Sequence, residues 1–420
     1  MPGAVNLLRQ GRGRDAAAPV ACAGLVVLHE RASLALLGIG VTLPLFLLPD
    51  QASSPRLSDL ALMFALPLIA TRWRRLGAGL QAFCFGGVVL LAITAMLQML
   101  QLRQTPNLPD MVFWFRWIAA VVAAAATAAV IVVDVERRRL FLTAVVMGAV
   151  CHLATYGLLE LVGRERLEAV GLASPRAALT SVAAHVRITT LAEHPNAAMA
   201  LIGLAVPACF AMPAHGMERR LLHGAAALIA TIGFACTLSR GGTVAAALAA
   251  LVFVMASVRR ADGRNPLGLL VVICLLAGAG LAVQLTGWSL DGARFSARFE
   301  PGLLSDNIGG RAETWGRALS FVVHRPLGVG WSSPEELGRF RALTVSHNGY
   351  LFMARTVGLL AAAAMLALHC RSLTRLDAMA PLSAFVLAMM FSEDLTQGAS
   401  FIFVACLTAA LAFRRRLSPL

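Results

Sequence analysis

The chain has 420 residues, of which 58% are hydrophobic and 14% charged. A soluble domain carries roughly 25% charged residues, so this composition excludes a soluble globular protein and points to a chain solvated by lipid. All 36 basic residues are arginine and the net charge is +14. In a soluble protein that excess would suggest nucleic acid. Here the arginines cluster between apolar runs, where they act as topology signals, and no nucleic-acid partner is expected.

The N-terminal stretch (Arg9, Arg12, Arg14) lacks a small-residue cleavage site before the first long apolar run, so no cleaved signal peptide is read. Apolar runs then recur to the end of the chain. They predict an all-α polytopic membrane protein of about twelve transmembrane helices, near 32–48, 57–71, 76–100, 111–133, 139–163, 196–214, 221–238, 241–258, 266–286, 348–369, 377–392 and 397–413. The eight cysteines fall almost entirely inside these runs and form no CxxC pair, so neither a disulfide nor a metal site is expected.

Arginine distribution tests the count independently. With a cytoplasmic N-terminus, the inside connections hold Arg72/Arg74/Arg75, Arg137/Arg138/Arg139, Arg219/Arg220, Arg259/Arg260/Arg264, Arg371/Arg375 and the tail Arg414/Arg415/Arg416. The alternate short loops hold few: Arg56, Arg103, and only acids in Ser392-Glu393-Asp394. Two long segments, 164–195 and 287–347, fall outside, and loops of that length are usually functional or disordered. The second contains a helix-like stretch from Arg311 to Val323 with Trp315, Ala318, Leu319 and Val322 on one face. That face suits a helix lying on the membrane or capping a cavity.

The chain thus divides into four parts: 1–195, helices 1–5 with the first outer loop; 196–286, helices 6–9; 287–347, the large outer loop with its short helices; and 348–420, helices 10–12 with the arginine tail. The outer side is dense in arginine: Arg164, Arg166, Arg176, Arg187, Arg240, Arg294, Arg298, Arg311, Arg317, Arg325, Arg339 and Arg341. Such a lobe suits an anionic ligand such as a diphosphate, which arginine meets with a planar forked donor set. Lipid-headgroup contact and ordinary loop solvation are the alternatives for any single one.

Arg240 sits in Thr237-Leu238-Ser239-Arg240-Gly241-Gly242, a link too tight for a real loop between two apolar runs. Arginine at a membrane edge is costly unless it snorkels or pairs, and marks function by default. The paired glycines allow a sharp turn and close approach to a ligand. His347, in Ser346-His347-Asn348-Gly349-Tyr350, precedes a span at the water–membrane boundary, where an imidazole can take a proton near neutral pH. It can equally be a hydrogen-bonded structural residue.

Weaker signals surround these two. His194-Pro195-Asn196 opens the sixth span with Asn near its cap, and Pro326-Leu327-Gly328-Val329-Gly330 reads as a turn returning the loop to the membrane. Glu393 and Asp394 are a base, an arginine partner or merely solvated, and Arg355 lies about two turns into the tenth span. No Asp-x-Asp occurs in the outer loops and no P-loop anywhere, which argues against a metal-bridged nucleotide-sugar site and against nucleotide hydrolysis. Mid-span acids, expected of many proton-coupled transporters, are nearly lacking.

The ordered set Leu-Ser-Arg-Gly-Gly at 238–242, Arg311 with Trp315, Pro-Leu-Gly-Val-Gly at 326–330 and Ser-His-Asn-Gly-Tyr at 346–350 resembles the O-antigen ligase and polymerase superfamily. His194-Pro195-Asn196 is similar to that family's preceding outer loop, and the resemblance covers roughly 190–405. It implies a bacterial inner-membrane enzyme with both termini cytoplasmic and its site facing the periplasm. The implied activity is a metal-independent, inverting glycosyltransferase without cofactor, taking glycan from undecaprenyl diphosphate. Lipid A–core is the acceptor in the ligase branch, and another lipid-linked repeat in the polymerase branch. Carried over, Arg240 and Arg311 would bind the diphosphate and His347 would be the essential loop histidine, as base or phosphate contact. His194, Asn196, Ser239, Arg317, Asn348 and Tyr350 would support them. One dominant outer loop ending in the histidine favours the ligase branch. Arg317 to Gly328 matches the polymerases' Arg–ten residues–Gly spacing, but no arginine of the 164–195 loop does. A transporter of lipid-linked glycans is the reading from a different class.

Overall fold

The computed structural model describes residues 17–47, 55–73, 76–102, 108–173, 180–182, 185–187, 190–192, 194–237, 239–259, 301–330, 347–393 and 398–413. The expected span near 266–286, most of the 287–347 loop outside one helix, and Arg176, Arg294, Arg298, Arg339, Arg341 and Asp394 lie outside the described residues. The helices are α1 (Ala17–Thr42), α2 (Leu57–Ala65), α3 (Pro67–Arg72), α4 (Ala78–Leu102), α5 (Leu108–Val133), α6 (Val135–Val162), α7 (Arg164–Ala169), α8 (Pro195–Gly203) and α9 (Ala205–Ala211). They continue with α10 (Gly216–Thr237), α11 (Arg240–Arg259), α12 (Pro301–His324), α13 (Gly349–Thr356), α14 (Leu359–Thr374), α15 (Ala380–Ser392) and α16 (Ala399–Ala410). A short antiparallel hairpin, β1 (Thr180–Val182) with β2 (His185–Arg187), is the only sheet among the described residues.

Six helices are long and apolar enough to cross a membrane, and shorter apolar helices accompany them. An apolar surface suited to lipid is exposed on α4, where Phe85, Val89, Ile93, Met96 and Leu100 form a stripe at helical spacing. The core is built of small residues. Ala119, Ala120, Ala123, Ala124, Ala126 and Ala128 of α5 are almost wholly buried and α5 packs along α16, itself lined by Ala399, Ala405, Ala409 and Ala410. Lipid tails are as apolar as leucine, so helices in a bilayer gain from close backbone approach rather than from hydrophobic burial.

Two of the expected spans bend where proline dictates. Pro67 separates α2 from α3 and Pro207 sits just after the α8–α9 junction at Leu204; each lacks the N–H that would close the turn before it. A third interruption, between α13 and α14, has no proline: Gly358 stands there with φ +111°. The Pro326–Gly330 segment is inserted into this gap, which is a larger role than the turn expected from sequence. Val329 N donates to Arg355 O (2.8 Å), Gly330 N to Thr356 O (3.2 Å), and Leu359 N to Pro326 O (2.7 Å). Gln98 of α4 donates through Nε2 to both Leu327 O (2.6 Å) and Thr356 O (2.9 Å). The polar groups freed by the break are thereby satisfied inside protein, the condition for non-helical backbone at membrane depth.

The two ends of the bundle differ in chemistry. At one end Arg72 and Arg137 both pair with the fully buried Glu30, and Arg139 pairs with Glu218. At the same end Arg219 lies over the Phe253 ring and Arg371 over that of Phe413. These contacts gather at one end arginines from four of the six connections that the sequence assigns to the cytoplasm. The other end carries Asp59, bound by Arg116 at 2.6 and 2.9 Å, and the residues described next.

The helix expected over Arg311–Val323 begins ten residues earlier, at Pro301, a residue suited to a first helical turn. Ala318 and Val322 are buried as expected, but Leu319 is turned outward.

Candidate functional site

Three helices begin where α15 ends. His194 caps α8, its Nδ1 accepting from Asn196 N at 3.3 Å, with Pro195 in the first turn. Ser239 caps α11 by accepting from Gly242 N at 3.3 Å, so the chain needs only two residues between α10 and α11. Asn348 caps α13, its Oδ1 accepting from Tyr350 N (3.0 Å) and Leu351 N (3.1 Å).

All three starts lie against Ser392 and Glu393. The Asn196 amide donates to Glu393 Oε1. A Cβ on Gly241 would come within 3.0 Å of Ser392 Oγ, and one on Gly349 within 3.1 Å of Glu393 O. Helix N-termini each carry about half a positive charge, and three of them around one point make a region that favours anions.

Glu393 is the hub. Its side chain is 5% exposed, and it is met from four directions. His347 Nδ1 lies 3.2 Å from Oε2, Asn196 bonds Oε1, and Arg311 NH2 lies 3.5 Å from Oε1. The His194 ring stands 6.5 Å from that of His347. Burial opposes ionisation of Glu393. The hydrogen bond from His347, and the electrostatic influence of His347, His194 and Arg311, outweigh it and hold the carboxyl below the usual carboxylate range. Arg311 also donates through NH1 to Ser392 O at 3.2 Å, one of the unpaired carbonyls at the negative end of α15. His347 adopts φ +47°, a left-handed conformation sparsely used by residues other than glycine, and strain of this kind clusters at functional sites.

Among the residues singled out in the sequence, His347, Arg311, His194 and Asn196 meet at this point, with Ser239 and Asn348 shaping the adjoining helix starts. Arg240 is the first residue of α11, one before the Gly241 that packs against Ser392; its side chain is outside the described residues. The glycines after it sit within the first turn of α11. A Cβ on Gly242 would lie 2.2 Å from Met199 Cγ, so close helix packing requires that glycine whatever else the pair does.

Two candidates stand apart. Arg317 projects from α12 in an exposed ion pair with Glu313. Tyr350 is buried, its hydroxyl 2.7 Å from His369 Nδ1 within the bundle. Arg355 lies over the Phe352 ring at 5.2 Å, two helical turns below the site. Glu393 was legible only as one of three options. An acid at a span end looks solvated until the distant helix starts that bury it are known.

Residues 225–366 match the family model described as O-antigen ligase. That stretch contains Arg240, Arg311 and His347; His194, Asn196 and Glu393 lie outside it. No curated protein matches the chain.

Proposed function

From the premise that residues 225–366 are an O-antigen ligase-superfamily region, we propose that the chain is an inner-membrane glycosyltransferase of the ligase branch. It spans the membrane about twelve times with both termini cytoplasmic, and moves glycan from undecaprenyl diphosphate to lipid A–core at the periplasmic face. The observation that supports this reading is the convergence of His347, Arg311 and three helix N-termini at the end of α15.

A leaving diphosphate gains negative charge as its bond to the sugar breaks. Arg311 and the adjoining helix starts offer preorganised positive charge for it, and the resemblance assigns Arg240 the same partner, so the reaction proceeds without a metal. The acceptor hydroxyl attacks the anomeric carbon from the opposite face and its proton passes to His347, giving an inverted glycosidic bond and free undecaprenyl diphosphate. His347 is 30% exposed on its side chain, so a substrate hydroxyl can reach it.

Transfer from synthetic undecaprenyl-diphosphate glycan with EDTA present tests the reading, using wild type and His347→Ala. Product on lipid A–core that disappears in the variant supports a ligase. Ladders of lengthening lipid-linked glycan would make the protein a polymerase instead. No transfer to either acceptor, or an undiminished variant, overturns the enzymatic assignment in favour of a transporter.

A further inference from the structure

Resting on that reading of His347, we infer that Glu393 is the positioning residue of the reaction: its Oε2 holds the Nδ1–H of His347 so that Nε2 is the face offered to the acceptor hydroxyl. An ionised carboxylate only accepts hydrogen bonds, and a neutral imidazole carries one N–H. A ring whose Nδ1 lies 3.2 Å from Glu393 Oε2 therefore carries its proton there and leaves Nε2 as the basic nitrogen. When Nε2 takes the acceptor's proton, the ring becomes a cation next to a carboxylate that is already fixed in place. The charge created in the step is stabilised without reorganisation.

A merely structural acid has little reason to look like this. Burying a carboxylate is costly, and an apolar residue of similar size commonly serves packing as well or better. Glu393 is instead kept ionised by groups from three separate elements, His347 before α13, His194 at α8 and Arg311 from α12, while the Asn196 amide donates to its Oε1. Asn196 and Arg311 engage Oε1 and leave Oε2 to the histidine. His347 keeps a left-handed backbone beside that oxygen, and the Asn348 cap fixes the next residue. Two residues outside the family-matched stretch, Asn196 and Glu393, thus complete the surroundings of one inside it.

The test compares full-length wild type with Glu393→Gln, Glu393→Asp and His347→Ala in the transfer assay, measuring kcat, donor KM and the pH profile. Glu393→Gln preserves shape but removes the charge. It is expected to lower kcat about 10²-fold without raising donor KM. The acidic limb of the profile moves to lower pH, because the imidazolium is no longer stabilised. Glu393→Asp should recover part of kcat and part of the limb's position. A wild-type kcat and limb in Glu393→Gln, with His347→Ala inactive, overturns the inference and leaves the enzymatic reading standing. Equal losses in the Gln and Asp variants with an unmoved limb show a structural role and also overturn it. An active His347→Ala sinks the reading on which the inference rests, and the inference with it.

Discussion

The guanidinium of Arg311 donates to the backbone carbonyl of Ser392 at 3.2 Å while its second terminal nitrogen faces Glu393 Oε1 at 3.5 Å. One planar group thus ties α12, from the large loop, to the end of α15, and still leaves its side chain 37% exposed. Lysine has the charge but not the fork. Arg311→Lys is therefore expected to lower kcat/KM for the diphosphate donor by about 10–100-fold, in the range of one charge-assisted hydrogen bond. The loss should fall mainly on donor KM. Steady-state transfer at varied donor concentration checks this, and an unchanged donor KM would place the diphosphate elsewhere.

Glu393 also gives stability a pH signature. Its carboxyl is held below its ordinary value of 4.5 by His347, His194 and Arg311 acting against burial. A carboxyl lowered on folding contributes stability that is fully present above its unfolded-state value and is lost as pH falls through the lowered, folded value. The Tm advantage of wild type over Glu393→Gln should shrink progressively as pH falls below about 4.5. Thermal unfolding in detergent over that range is the measurement. An advantage that grows as pH falls below 4.5 would reverse the sign.

Much of this arrangement was legible in the sequence, and the reasons are local. Apolar run length and arginine placement located helices wherever one segment decides its own state, and Pro67 and Pro207 account for two of the bends. The break at Gly358 was not legible. Glycine inside an apolar run is compatible with a continuous helix, and the interruption is stabilised by Gln98 and residues 326–330, distant in sequence. Arg311 and His347 were found through ordered motifs, whereas Glu393 depends on two remote helix starts and on Arg311. Arg317 and Tyr350 illustrate the opposite failure. Each lies near a motif, yet helix geometry turns one outward to Glu313 and the other inward to His369.

The interrupted helix makes a separate prediction about folding. Gln98→Leu removes the donor shared by Leu327 O and Thr356 O, the latter bond being buried. It should destabilise the protein by about 1–3 kcal/mol, the cost of leaving a buried polar partner short of its bond. Gly328→Ala should cost more. Its φ is +74°, and the added Cβ would stand 2.7 Å from Arg355 O and 2.9 Å from Gly358 N, both backbone atoms. Chemical or thermal unfolding ranks the two variants. Equal and negligible losses would mean that the 326–330 segment is dispensable to the break it fills.

Orientation is the remaining physical premise of the proposed activity, and the two ends of the bundle offer a direct test. Arg220 at the start of α10 and Ala312 on α12 are both exposed, and belong to the arginine-paired end and the Glu393 end respectively. Cys151 and Cys370 are the exposed native thiols among the described residues, so replacing them with serine lowers the background. Single cysteines Ala312→Cys and Arg220→Cys are then treated in intact cells with a membrane-impermeant maleimide. With the arginine-rich end inside, Ala312→Cys should react once the outer membrane is breached, and Arg220→Cys only after the inner membrane is permeabilised. The reverse pattern would turn His347 and Arg311 toward the cytoplasm, away from any acceptor at the outer face.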